Sequence, residues 1–114
     1  MENCLFCKII AGEIPSKKVY EDEHVYAFHD INPNAPVHVL VIPKTHIASM
    51  NEVGADNIEA VSRVLLTIPR IACELGLAES GYRVITNCGD DAGQTVKHLH
   101  FHILGGKQLP LTLA

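Results

Sequence analysis

The sequence predicts a single α+β domain, a mostly antiparallel sheet carrying one principal helix, and three stretches of chain predict it. Val37 to Ile42 is rich in β-branched residues and framed by Pro36 and Pro43, as suits a central, buried strand. From Asp56 to about Leu75, the residues Ile58, Val61, Leu65, Ile68 and Ala72 recur at three- and four-residue intervals, the apolar face of an amphipathic helix. Lys97 to Leu104 alternates polar and apolar residues at every step, the period of a strand with two different faces. Strands on both sides of one helix in the chain favour an α+β layer arrangement.

The other elements follow in order. Phe6 to Gly12 predicts a short helical turn ended by Gly12 and the Ile14-Pro15 step. Val19 to Tyr20 and Val25 to His29 predict two strands, with Glu21-Asp22-Glu23 turning between them and His24 beside the turn. Asn32-Pro33-Asn34-Ala35-Pro36 is a loop stiffened by two prolines. His38 alternates with Val37 and Val39 and is expected to face solvent or a partner subunit. His29 is expected to be structural. Pro69 interrupts the principal helix, as a kink or a boundary, and Gly76 ends it. Tyr82 to Asn87 predicts a further strand, Cys88 to Gly93 a loop, and Val96 to Leu104 the last strand, closed by Gly105-Gly106.

Composition narrows the function classes. The 114 residues contain no low-complexity linker, charge run or internal repeat, so one domain over 1–114 is expected. With 47% hydrophobic and 19% charged residues the chain is neither disordered nor fibrous. A net charge of −4 without any Lys/Arg block argues against a surface for long DNA or RNA, though one local site can still hold a small phosphate. Met1-Glu2-Asn3-Cys4 lacks a secretory pattern, and no apolar run approaches the ~18 residues of a membrane span. A soluble, unprocessed, cytoplasmic protein is expected, in which four cysteines serve as thiols or metal ligands rather than disulfides.

In Lys97-His98-Leu99-His100-Phe101-His102-Ile103-Leu104, strand alternation sends Leu99, Phe101 and Ile103 to the core under the helix. His98, His100 and His102 then line the opposite face, roughly 6.5 to 7 Å apart. A row of merely exposed histidines explains them poorly, because each imidazole needs a partner when covered. One metal ion shared by all three is strained, since i to i+4 spans roughly 13 Å. Phosphate chemistry fits better. Gly89, Gly93 and the adjoining Gln94-Thr95 form a turn just before the strand, whose backbone N–H groups and Thr95 hydroxyl suit phosphate oxygens. Imidazole itself serves as nucleophile, general acid or general base near neutral pH. Cys4-x-x-Cys7 is short enough to chelate a metal, but such spacing also occurs in redox motifs or by accident.

His98-Leu99-His100-Phe101-His102-Ile103-Leu104 resembles the defining His-φ-His-φ-His-φ-φ pattern of the histidine triad (HIT) family, where φ is apolar. Cys4 to Ile10, Ala27-Phe28-His29-Asp30-Ile31-Asn32-Pro33, Val41 to His46 and Gly93-Gln94-Thr95-Val96 resemble its Hint-like branch, so the resemblance covers nearly the whole chain. It implies a HIT-like domain whose sheet continues across a homodimer, with a purine nucleoside monophosphate site on each subunit. It implies His100 as the nucleophile at the α-phosphorus and His102 as a contact to phosphate oxygens, helped by Thr95, Gln94 and the Gly93 turn. The His98 backbone would orient His100. Asp30 would accept both ribose hydroxyls, with Asn87 near the ribose and phosphate. Phe6, Ile9, Phe28 and Ile31 would line the base pocket, although packing in the core explains Phe6, Phe28 and Ile31 as well. The resemblance implies no cofactor for the chemistry. Some members join a Cys pair to a structural zinc, and the matching ligands here are Cys4, Cys7, His46 and His98; Cys73 and Cys88 are not ligands.

The function implied is a hydrolase that splits purine nucleoside 5′-phosphoramidates, releasing AMP or GMP through a nucleotidyl-His100 intermediate. Cleavage of dinucleoside polyphosphates and non-catalytic nucleotide binding are the alternatives. The tail Leu109-Pro110-Leu111-Thr112-Leu113-Ala114 departs from the best-known branch pattern and the chain has no tryptophan, so leaving-group preference does not carry over.

Overall fold

The computed structural model describes residues 3–113; Met1, Glu2 and Ala114, part of the terminal stretches read above, lie outside the described residues. The chain runs α1 (Leu5–Ile10), β1 (Lys18–Glu21), β2 (Val25–His29), β3 (Val37–Pro43), α2 (Ile58–Glu74), β4 (Arg83–Ile85) and β5 (Phe101–Gly105), with short 3-10 turns at Met50–Glu52 and Asp90–Ala92. The five strands form one sheet in the order β1-β2-β3-β5-β4, and every neighbouring pair is antiparallel. The predicted α+β architecture with one principal helix is the one observed.

Both faces of the sheet are covered, which explains why its central strands are apolar at consecutive positions. Val25, Ala27, Val39, Val41, Phe101 and Ile103 pack with Val61, Val64, Ile68 and Ile71 of α2. On the other face Tyr26, Phe28, Leu40 and Ile42 pack with Cys4, Phe6 and Ile9 around α1. Leu99, Phe101 and Ile103 thus enter the helix-side core as predicted, and His102 falls on the α1 face, directly across from Leu40 in the β3–β5 register.

α2 ends in a Schellman motif. Gly76 takes φ +77°, its N–H donates to the Cys73 carbonyl, the Leu77 N–H donates to the Ala72 carbonyl, and the Leu77 side chain is buried. Pro69 does not end the helix: the 17 residues run through it. The carbonyl that Pro69 cannot serve is that of Leu65, on a half-exposed turn open to solvent, which offsets part of the usual penalty.

Several strand boundaries differ from expectation. β1 is longer than predicted and contains an irregularity between Lys18 and Tyr20. β5 begins at Phe101, not Val96, and β4 ends at Ile85, not Asn87. Continuing the β3–β5 register would bring Leu99 opposite Pro43, which has no N–H to give. The chain leaves the ladder there: the Leu99 N–H donates to the Ile47 carbonyl and the His98 ring takes the Pro43 carbonyl. His38, expected at solvent or a subunit boundary, is instead buried at 4% exposure. Its parity with Leu40 and Ile42 places it on the α1 face beside His102.

Candidate active site

The break in β5 gives each triad histidine different partners. His98, fully buried, donates from Nε2 to the Pro43 carbonyl at 2.9 Å, because a carbonyl only accepts. Its Nδ1 is therefore a lone pair, and it points at Cys4 Sγ (3.3 Å), Cys7 Sγ (3.5 Å) and His46 Nδ1 (3.2 Å). His100 donates from Nδ1 to the His98 carbonyl at 2.7 Å, which leaves its Nε2 lone pair free for attack.

The third histidine is set by His38. Asn34 donates its backbone N–H to His38 Nδ1 at 3.1 Å, so the hydrogen of His38 sits on Nε2. That Nε2 lies 2.9 Å from His102 Nδ1 and 3.5 Å from the Asp30 carboxylate. His102 Nδ1 is then an acceptor, and its outward Nε2–H becomes a donor suited to an anionic oxygen. Asp30, His38 and His102 also stand close enough to hold an ion, but His38 offers no free lone pair, and hydrogen bonds account for the group.

Burial favours neutral rings throughout. It lowers His98 to about 4 and, with His100 and His38 nearby, lowers His102 to about 4 as well. His100 and His38 are shifted down for the same reason, against an opposing pull from Asp30. A neutral His100 with one nitrogen engaged and one free has the form that a nucleophile requires.

The flanking loop is built around Gln94. Its Oε1 accepts from the Gly89 N–H, and its Nε2 donates to the Ala48 and Val96 carbonyls. With its backbone N–H on the Gly89 carbonyl, Gln94 is buried under the turn. Both ends of the side-chain amide are thus engaged within the loop, so the Gln94 side chain shapes the turn from below. Gly93 (φ +80°) and Thr95 remain exposed at the mouth of the loop. Lys97 ties the turn from outside, bonding to Asp90 Oδ1 and the Gln94 carbonyl.

Asp30 follows β2 and accepts the Asn32 N–H with Oδ1, which fixes the carboxylate at a cavity shared with Ile31, Pro33, Pro36 and His38. Phe6 stands edge-on to His100 (5.0 Å between ring centres) and Phe28 (5.6 Å). Phe6, Ile9 and Phe28 are core residues of the α1 face, whereas Ile31 is 89% exposed and is not core. Asn87 is half-buried just beyond β4. Sequence reasoning missed Thr86, whose hydroxyl donates to the His100 carbonyl at 2.7 Å, and the role of His38; the parity of His38 with Leu40 was the available signal.

The four residues Cys4, Cys7, His46 and His98 converge with their ligand atoms within 4.8 Å of one another. A zinc tetrahedron requires about 3.3 Å between two imidazole nitrogens and about 3.6 Å between nitrogen and sulfur. The separations of 3.2 Å for His46–His98, 3.3 and 3.5 Å for His98 to the two sulfurs, and 3.4 Å for Cys7–His46 match that shape. Burial, and Cys4 beside it, push the Cys7 thiol up to about 11, so its proton must leave when a cation enters. All four cysteines are free thiols; Cys73 is exposed on α2 and Cys88 half-buried, both apart from this cluster.

The sequence model described as "HIT domain" matches residues 11–109. The protein belongs to the HIT family. It is similar to a HIT family hydrolase from Clostridium thermocellum, with 53% identity, a TM-score of 0.96, and coverage of 100% of this chain and 99% of that one. A histidine triad protein from Clostridium difficile is 52% identical, with a TM-score of 0.94 over 99% of this chain and 98% of that one. The purine nucleoside phosphoramidase of Escherichia coli is 46% identical over 113 residues, 99% of this chain and 95% of the relative.

Proposed function

We propose that this HIT-type hydrolase binds purine nucleoside 5′-phosphoramidates and splits the P–N bond, releasing AMP or GMP. The observation that carries the reading is the His100 ring, whose Nδ1–H is held by the His98 carbonyl at 2.7 Å while Nε2 keeps its lone pair. The similarity to the Escherichia coli phosphoramidase supplies the substrate class. In this reading Nε2 of His100 attacks the α-phosphorus, and the amine departs with the electrons of the P–N bond and takes up a proton. Water then attacks the nucleotidyl-His100, its proton is released, and the nucleoside monophosphate leaves as His100 regains its lone pair. His102 donates to a phosphoryl oxygen from Nε2, Thr95 and the exposed backbone at Gly93 cradle the others, and Asp30 accepts the ribose hydroxyls. Phe6, Ile9 and Phe28 form the floor of the base site, with Ile31 at its open rim and Asn87 near the phosphate.

No cofactor enters these steps. A zinc ion would be held by Cys4, Cys7, His46 and His98 and would supply structural cross-linking with no open position for chemistry, as the match to a closed tetrahedron supports. A homodimer with a continuous sheet fits the unpaired outer edge of β4 and the exposure of Val84 and of Leu65 and Leu66 on α2. Among the described residues no helix is long and apolar enough to cross a membrane.

The test is mass spectrometry of protein mixed with an adenosine phosphoramidate and quenched without acid, comparing wild type with His100→Ala. A nucleotide-sized adduct on His100 with AMP release, both absent in the variant, is the expected result. Neither adduct nor AMP would overturn the phosphoramidase reading and leave dinucleoside polyphosphate cleavage or nucleotide binding alone.

A further inference from the structure

One residue belongs to both centres. His98 uses Nδ1 toward the Cys4, Cys7 and His46 ligand atoms, Nε2 toward the Pro43 carbonyl, and its own carbonyl to hold His100 Nδ1. A second link runs through α1. Cys4 caps that helix by accepting the Cys7 N–H on its sulfur, and the same six-residue helix carries Phe6 against the His100 ring. A helix of six residues is far too short to persist on its own, so it depends on its packing and on whatever fastens its start. The other two ligand residues lie in the segments after β3 and before β5, where the sheet ladder has already ended.

An ion at this site would therefore pin three segments at once: the helix behind the base site, the segment after β3, and the segment whose carbonyl orients the nucleophile. We propose that metal occupancy at Cys4, Cys7, His46 and His98 sets the affinity and the nucleophile orientation of the nucleotide site, with His98 as the positioning residue. The proposal rests on the reading of His100 as the nucleophile. It goes beyond a purely structural zinc, because it makes the nucleotide site respond to the metal.

The experiment uses the full chain freed of metal with a chelator, then titrated with zinc, using AMP as the ligand. Nitrogen-15 spectra of the histidine rings report the tautomer of His100, and calorimetry reports AMP affinity. Zinc is expected to bind one per chain, to raise the share of His100 held in the Nδ1–H tautomer that the His98 carbonyl selects, and to tighten AMP by about tenfold, within the usual range of coupling between sites. The Cys7→Ser variant, checked for folding by circular dichroism, is expected to show neither change on adding zinc. If that variant does not fold, the titration of wild type decides alone. Failure of zinc to bind, or binding that leaves the His100 spectrum and AMP affinity unchanged, overturns the proposal. Hydrolysis of an adenosine phosphoramidate is followed in the same samples: equal rates with and without zinc count against the coupling and leave the hydrolase reading intact. Absence of hydrolysis in both overturns the hydrolase reading, while the ring spectra still judge the coupling.

Discussion

Thr86 belongs to none of the motifs, yet its hydroxyl supports the carbonyl of the residue assigned the nucleophilic role. Replacing it by valine keeps the shape and removes one hydrogen bond worth about 1 kcal/mol. Thr86→Val is expected to lower kcat on an adenosine phosphoramidate about fivefold with little change in KM, as steady-state kinetics will show. Gln94→Ala removes three bonds from beneath the loop and leaves the Gly89 N–H and the Ala48 and Val96 carbonyls unserved; a loss of about 1–3 kcal/mol is expected from urea unfolding. His102 gives a pH dependence. Its folded value, lowered from 6.5 to about 4, means the unfolded chain takes up the proton first as pH falls. The stabilisation is complete above 6.5 and is lost progressively down to about 4, at most about 3 kcal/mol in all. His102→Asn should flatten unfolding free energy between pH 7 and 5 relative to wild type, and an unchanged slope would count against the buried neutral ring. The triad could be read from sequence because strand alternation alone separates its imidazoles from Leu99, Phe101 and Ile103. Thr86 and Asn34 could not, because their partners lie across sheet pairings or a loop that no local pattern encodes.

Among the elements, α2 was legible in its stop and only partly in its face: Val61, Ile68 and Ala72 are buried as expected, whereas Ile58 and Leu65 are exposed and Val64 and Ile71 take their place in the core. Gly76 sits at the left-handed position after the cap with no atom near an added Cβ, so Gly76→Ala costs conformation and not contact. A loss of about 1 kcal/mol, read as a lower urea midpoint with unchanged slope, is expected. The helix runs past Pro69 because the burial of Ile68, Ile71 and Ala72, which propensity alone ignores, holds it together beyond the missing bond. The strands were legible in number and order along the chain but not in length. β5 was overextended because alternation continues through His98 and Leu99, whereas the ladder requires an N–H that Pro43 lacks. Their pairing order followed from no local signal, since β5 enters between β3 and β4 only once the chain is folded.

At the scale of the whole molecule the exposed Leu66 on α2, with Val84 on the outer edge of β4, predicts association. Leu66→Glu combined with Val84→Lys is expected to convert a dimer into a monomer in sedimentation at micromolar concentration; a monomeric wild type would overturn the shared-sheet reading. The centre of the sheet carries a different consequence. β3 has neighbours on both edges and apolar cover on both faces, with Val39, Val41 and Ile42 wholly inaccessible. Its amides should exchange with deuterium only when the entire fold opens, whereas those of α1, six residues at the margin, should exchange through a local opening of much lower free energy. In the proposed nucleotide site, the side made by His38 and His102 is thus as durable as the protein itself, whereas the side made by Phe6 and Ile9 can part from it. On the proposed reading, access for a large purine would come through that lighter side, without disturbing the histidines assigned to the phosphate.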